Sequence, residues 1–255
     1  MRAFIECSTA TVYKNDRTHK KETDKTKPVY DLAKWKLAAE EELQKIPGLN
    51  LCILRIAHVY GLYDSGYLIT PICLGRVYKD LERTLPFPFP KEQLMHTVHV
   101  KDTVRAMWTA AEWRAKNNQP TASSDAAALN VFNIVDHNNT TKSDFANALA
   151  RQFGIEVTFM NSMMVQLAKL NADEVFGEIN EEALEVWADL LEEKGITRPG
   201  PLSPFLESDY IKDCDVAVDG SLFERTTGFE YEFEKIPTGY LSQLIDSYER
   251  MNWWP

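Results

Sequence analysis

The chain has 255 residues, of which 44% are hydrophobic and 26% charged. This is an ordinary soluble composition, long enough for a large core in one or two domains. A net charge of −10 repels phosphate backbones and anionic lipid, which makes nucleic acid and membrane surfaces poor partners. No apolar run approaches the ~20 residues that cross a bilayer, and the start MRAFIECSTATVY is too short and polar for a signal peptide.

In chain order, residues 3–7 (AFIEC) are predicted as a short strand. A solvated loop rich in both charges follows over 14–29. DLAKWKLAAEEELQKIPG is a helix of strong helix formers, with Asp31 as N-cap and Pro47-Gly48 as its stop. LNLCILRIAHVYG is one strand buried on both faces. Strand, helix, strand in this order is the βαβ signature of a parallel sheet.

A second helix is expected near 70–83, then LPFPFP as a stiff extended connector, because its prolines fix φ and lack N–H donors. HTVHV is a short strand, and Asp102 caps the helix DTVRAMWTAAEWRAK. NQPTASSDAAA reads as a surface loop and LNVFNIV as a strand. TTKSDFANALARQFG is a helix with a Thr-x-x-Asp start.

Residues 172–194 form an acidic amphipathic helix, with Val175, Phe176, Ile179, Leu184, Trp187 and Leu191 at helical spacing. A Pro-rich turn, a short strand near CDVAVD, a helix ended by Gly228 and a last helix over about 238–252 complete the chain. Cys7, Cys52, Cys73 and Cys214 have no paired spacing, so a reduced, cytoplasmic protein is the simplest reading. His96 and His99, three apart on a strand, point to opposite faces, and no zinc or calcium ligand set is present; no metal is expected.

STATVY (8–13), KLAAEEEL (36–43), RIAHVYG (55–61) and HVKDTVRA (99–106) stand in an order that resembles extended short-chain dehydrogenases of the NAD-dependent epimerase/dehydratase family. VFNIVDHNNTTKSDFANALA (131–150) and DGSLFERTTGF (219–229) fit as well. The resemblance implies an α/β fold: a partial Rossmann-like, doubly wound parallel sheet with a smaller, mostly helical substrate-type lobe. Residues 1–150 would hold the late strands and helices of the core, with lobe insertions at about 62–95, and residues 151–255 the C-terminal lobe.

The resemblance also implies NAD or NADP as cofactor. However, the family's Gly-x-x-Gly-x-x-Gly turn, whose backbone approaches the pyrophosphate, is not in this sequence. The first strand matches a late strand of the family's sheet, so roughly 100 residues of cofactor-binding domain are expected to precede it. A sheet without its first strands exposes a strand edge. Poor solubility, oligomerisation or dependence on a partner protein is the expected consequence.

The family's chemistry needs a Ser or Thr on the substrate carbinol and a Tyr that shuttles the proton. A Lys one helical turn on lowers the Tyr pKa and holds the nicotinamide ribose. Tyr-x-x-x-Lys puts both on one helical face. Two alignments compete here. Tyr30 and Lys34 have the literal spacing, whereas KLAAEEEL aligns Lys36 with the family lysine and sets Leu32 where the tyrosine belongs. Two residues turn a helix by roughly 200°, so both cannot hold; the Leu32 alignment is favoured, and with it the loss of the tyrosine.

The resemblance makes Thr9, Tyr30 and Lys36 the catalytic candidates. It places Lys36, Lys34, Ile56 and His58 against the cofactor, and Ser8, Thr9 and His58 against the substrate. Ser8 and Thr9 have an equal reading as strand-end hydroxyls that satisfy a turn, His58 reads as a core-edge histidine, and Arg55 as a member of a structural ion pair.

Two functions follow. The first is a nicotinamide-dependent epimerase, dehydratase or reductase for a nucleotide sugar or related carbonyl compound, catalytically impaired or truncated. The second is a non-catalytic regulatory or scaffold protein with the same fold, working with a protein partner or as a homo-oligomer.

Overall fold

The computed structural model describes residues 1–14, 16–117, 130–161, 163, 165, 171–207 and 215–255. Expectations for the loop NQPTASSDAAA, for Cys214 and for the side chain of Val175 fall outside these residues. In chain order the elements are β1 (Phe4–Thr9), a 3-10 turn (Ala10–Val12), α1 (Asp31–Gln44), β2 (Leu51–Ile56) and β3 (His58–Tyr60). Next come α2 (Ile69–Asp80), β4 (Leu85–Phe87), β5 (Thr97–His99), α3 (Val100–Lys116), β6 (Val131–Ile134) and α4 (Lys142–Phe153). The chain ends with β7 (Val157–Phe159), α5 (Ala172–Glu193), α6 (Ser221–Thr227) and α7 (Tyr240–Arg250).

The described residues form two compact units that alternate along the chain. One comprises Met1–Val59, Leu94–Asn139 and Cys214–Ile236; the other comprises Tyr60–Gln93, Thr140–Asp213 and Pro237–Pro255.

The first unit is built on a parallel sheet of order β1-β2-β6. Its register pairs Cys7 with Leu54 and Ser8 with Arg55, and then Leu54 with Phe132 and Arg55 with Asn133. Register partners point to the same face of a parallel sheet. On one face Cys7 reaches Met107 of α3; on the other Ser8 and Arg55 both reach Glu40 of α1. Helices therefore cover both faces, as a doubly wound sheet requires. This is why β2 reads as a continuous apolar run. Cys52 and Leu54 join one core cluster with Ala106, Ala110 and Phe132, while Leu51 and Ile53 join another with Val131.

The second unit pairs β4 with β7 in parallel and packs α2 against α4 and α5. Gly75 of α2 lies against the Phe153 ring of α4, and a Cβ there would come within 2.6 Å of it. Phe153, Trp187 and Tyr248 gather round Trp254, with ring centroids 5.5 to 6.2 Å from it. The Thr141-x-x-Asp144 start of α4 is a complete capping box, and α4 ends at Gly154 in the left-handed conformation.

Several boundaries differ from expectation, each for a local reason. Tyr30, not Asp31, is the N-cap of α1; Asp31 lies inside the first turn and pairs with Lys34 at 2.9 Å, where a carboxylate favours the helix dipole. The run 49–61 is two strands, because the Ala57 N–H bonds Ile134 while His58 turns to the His96 carbonyl. LPFPFP contributes β4, since Leu85 and Phe87 find partners on β7.

Asp102 does not cap α3. That helix begins at Val100 with His99 as N-cap, and Asp102 is buried, accepting N–H bonds from Glu232 and Phe233 at 3.1 and 2.9 Å. The short strand near CDVAVD is reduced to single bridges at Val216 and Val218. On α5, Phe176 and Trp187 are buried as predicted, whereas Leu184 is exposed and Ala183 and Leu190 complete the buried stripe. The segment 14–29 is not a free loop. Lys27 bonds Val12, and Lys20 bonds Ala217 and Asp219, through the main chain.

Candidate functional site

The sheet register sets a buried polar row across three strands: Ser8, Arg55 and Asn133. Buried polar groups must find partners or cost stability, and here α1, Tyr13 and the 14–29 segment supply them. Glu40 of α1 takes Arg55 through both oxygens, from Nε at 3.2 and 3.1 Å and from Nη2 at 2.7 Å. The Ser8 hydroxyl donates to the same carboxylate. Arg55 Nη1 donates to the Tyr13 hydroxyl at 3.0 Å, and that hydroxyl donates to Asn133 Oδ1 at 2.7 Å.

Glu22, from the segment expected to be solvated, accepts the Asn133 N–H at 3.0 Å and offers its carbonyl to Arg55. Burial pushes the Glu22 carboxyl up and the Tyr13 phenol up to about 12, the latter against the pull of Arg55. The ion pair expected of Arg55 is thus made, with Glu40. Ser8, a predicted substrate contact, is committed to Glu40. Sequence reading missed Glu40, Asn133 and Glu22. The available signal was the i,i+4 spacing of Lys36 and Glu40 on one helical face.

Lys36 lies on that face, one turn before Glu40. Its Nζ donates to the Cys7 carbonyl at 2.7 Å and to Glu6 at 3.2 Å, and so stays beside the carboxyl half of β1. Lys34 is exposed and paired with Asp31; the structure does not bring it to β1. Tyr30 precedes the helix, in extended backbone. Leu32, four residues before Lys36, is 70% exposed.

Thr9 ends β1 and caps the 3-10 turn, its Oγ1 accepting the Thr11 N–H at 3.2 Å. Ile56 ends β2 opposite Thr9 and Ile134. His58 is half-buried on β3. The carboxyl ends of three parallel strands thus present Thr9 and Ile56, with Lys36 alongside. Among the described residues, no group of three or more His, Cys, Asp or Glu side chains is arranged to hold a metal ion. Burial pushes His96 down to about 4. Phe87, Phe89 and Met95 are all buried.

Just past the end of β6, Asp136 was not anticipated. Burial pushes its carboxyl up to about 7, although Thr97 Oγ1 and the Asn138 N–H, at 2.7 and 3.0 Å, pull it down. A folded-state value above the ordinary 3.8 means that the folded chain holds an extra proton between about pH 4 and pH 7. This group's stabilising contribution is complete below that window and is lost as pH rises through it. Asp64, pushed up to about 6 by burial, acts with the same sign. Asp136→Asn is expected to flatten the fall in stability between pH 5 and 7 without abolishing it, measured as urea midpoints at the two pH values. An unchanged slope would reject the assignment.

A parallel sheet covered by helices on both faces, with its candidate residues at the strand carboxyl ends, defines a Rossmann-type α/β protein. The sequence profile of the NAD dependent epimerase/dehydratase family matches residues 1–134, just over half of the chain. The chain belongs to that family.

Among solved structures, it is similar to UDP-glucuronic acid 4-epimerase from Bacillus cereus, in complex with UDP-glucuronic acid and NAD, at 15% identity and a TM-score of 0.59, covering 98% of this chain and 62% of that one. It is similar to dTDP-glucose 4,6-dehydratase from Bacillus anthracis, in complex with NAD, at 15% identity and a TM-score of 0.59, covering 99% and 63%. A functionally unknown conserved protein from Silicibacter pomeroyi matches at 17% identity and a TM-score of 0.52, covering 97% and 66%. The chain thus spans slightly less than two thirds of the length of these structures. At such identities the likeness is one of fold. No curated protein sequence matches significantly. Among the described residues no helix is long and apolar enough to cross a membrane.

Proposed function

We propose that this protein is a cytoplasmic, catalytically impaired relative of the nucleotide-sugar epimerases and dehydratases, one that keeps the family lysine but lacks its proton-transferring tyrosine. One observation carries this reading: Lys36 and Glu40 share the α1 face that bonds β1 and Arg55, so the residue one turn before Lys36 on that face is Leu32. A leucine cannot accept or return the carbinol proton. Tyr30, outside the helix, loses the spacing that would set it beside either lysine.

The remaining residues suit part of a dinucleotide site. Lys36 is a partly exposed ammonium beside the carboxyl half of β1, fitted to a ribose hydroxyl, and Thr9 is a hydroxyl at the substrate side. The Gly-x-x-Gly-x-x-Gly pyrophosphate cradle is not in this sequence. NAD, when bound, supplies a carbon that takes up and returns hydride. Thr9 would orient a carbinol and Lys36 would hold the ribose, but no phenol on the Lys36 face moves the proton.

A second reading, a non-catalytic scaffold or self-associating protein, is favoured by the exposed apolar strip on α1, where Leu32 is 70% and Trp35 74% exposed.

The test uses the full-length native protein with NAD and a UDP-sugar. Lys36→Ala is expected to weaken NAD binding by about tenfold, the worth of a charge-assisted hydrogen bond, while Lys34→Ala leaves it unchanged. Tyr30→Phe should not alter turnover. Robust turnover that Tyr30→Phe abolishes would overturn the proposal.

A further inference from the structure

Residues 229–234 (FEYEFE) leave α6 without regular secondary structure. Among the described residues no main chain to main chain hydrogen bond holds this strap; side chains do. Asp102, in the first turn of α3, accepts the Glu232 and Phe233 N–H groups at 3.1 and 2.9 Å. Arg105, bound to Asp102 at 2.5 Å, donates to the Glu230 carbonyl at 3.0 Å. The Phe233 ring stacks on His99, with centroids 3.7 Å apart. The Tyr231 hydroxyl accepts the Val135 N–H at 3.2 Å, just past the end of β6. A segment tied down by a few side-chain bonds opens at lower free energy than a strand inside a ladder.

Next to Val135 stands Asp136, only 5% exposed. Its carboxyl takes two neutral donors, Thr97 Oγ1 of β5 and the Asn138 N–H, whereas buried Asp102 has the Arg105 guanidinium as counter-charge. The titratable and charged groups that face Asp136 are His137 beside it, Asp102 of α3 and Tyr231 of the strap; Glu224 of α6 acts on that same phenol. Burial and a carboxylate neighbour favour the protonated form, in keeping with a value pushed up to about 7. Ionisation in place adds a second negative charge near Asp102. Ionisation with the strap lifted puts the new charge in water, where it costs far less.

We propose that the strap is a proton-controlled latch: it lies closed against the end of β6 while Asp136 is protonated, and opens when that carboxyl ionises. The sign follows from linkage. Opening hydrates Asp136 and returns it toward the ordinary carboxyl range, so it releases a proton and becomes easier as pH rises toward 7. Above that value Asp136 is ionised in both states and the dependence levels off. Neither NAD nor a catalytic residue enters this latch.

Amide hydrogen exchange in the full-length native protein, followed by NMR from pH 5 to 8 and corrected for intrinsic rates, is the test. The Glu232 and Phe233 amides are expected to exchange faster than the Leu54 amide of β2. Their protection should fall by about tenfold between pH 5 and 7, within the limit of about tenfold per pH unit for one proton. Asp136→Asn should hold the strap closed and remove the pH dependence. Arg105→Met should raise opening at every pH and leave the dependence in place.

Should Asp136→Asn fail to fold, the native protein still decides, because the carboxyl carbon signal of Asp136 and the strap amides must titrate with one midpoint. Strap amides that exchange no faster than Leu54, or protection that does not change with pH, would overturn the proposal. So would separate midpoints, or a dependence that survives Asp136→Asn and therefore belongs to His137 or the strap glutamates.

Discussion

Glu40→Ala is expected to cost about 3–5 kcal/mol of folding stability, the penalty for stranding one member of a buried ion pair. Glu40 is 1% exposed and accepts three hydrogen bonds from Arg55 and one from Ser8. Its removal leaves a guanidinium, a serine hydroxyl and, through Tyr13, the Asn133 amide with a broken network. Urea unfolding monitored by circular dichroism measures the loss, with an unchanged denaturant slope as the sign that the native state is otherwise intact. The double change Glu40→Met with Arg55→Met should recover a large part of it, because replacing both charges removes the desolvation cost together with the attraction. A loss below about 1 kcal/mol in Glu40→Ala would show that the pair is far more hydrated than its burial indicates.

Leu32→Tyr is the change with the largest expected effect on activity. Lys36 is held by the Cys7 carbonyl and Glu6, so a phenol one turn earlier lies on the same face and under the same positive charge. That charge lowers the phenol's proton affinity, and general acid–base catalysis by a positioned side chain contributes typically ~10²–10⁴-fold in rate. In the full-length native protein with NAD bound, Leu32→Tyr should raise turnover of a UDP-sugar by that order, with a pH profile that Lys36→Ala shifts or erases. If NAD binds and Leu32→Tyr adds nothing, the impairment does not reside at this position. The scaffold reading, supported by the exposed Leu32 and Trp35, then takes precedence.

The Leu32→Tyr prediction depends on one alignment, and it shows where the sequence succeeds and fails. KLAAEEEL pointed to Lys36 because its residue order resembles a family helix, while the literal Tyr30-x-x-x-Lys34 spacing pointed elsewhere. Neither could be eliminated from spacing alone. The helix start favours the Lys36 alignment, since Tyr30 lies in extended backbone with φ −90° and ψ 159°. Asp31 was expected to precede the helix and instead opens it. Asp102 was likewise expected as a cap, of α3, and became a buried acceptor for the main chain of Glu232 and Phe233. Both errors have one cause: Asp near a helix start serves equally well as a cap, a first-turn charge or a tertiary acceptor. The choice depends on what packs nearby.

The sequence by itself determined the features that rest on local physics. Helix formers specified α1 and α4 and Gly154 the end of α4, the Thr141-x-x-Asp144 box marked a helix start, and the apolar run of β2 announced a strand with both faces buried. Each is legible because neighbours a few residues apart supply the energy. The tertiary structure alone decided that Glu40 meets Arg55 across 15 positions and that Glu22, from a charged segment, satisfies Asn133 across 111. Those outcomes depend on strand register and on which helix face meets the sheet. A one-residue slip would send every side chain to the opposite face, and that choice is made by the packed core as a whole.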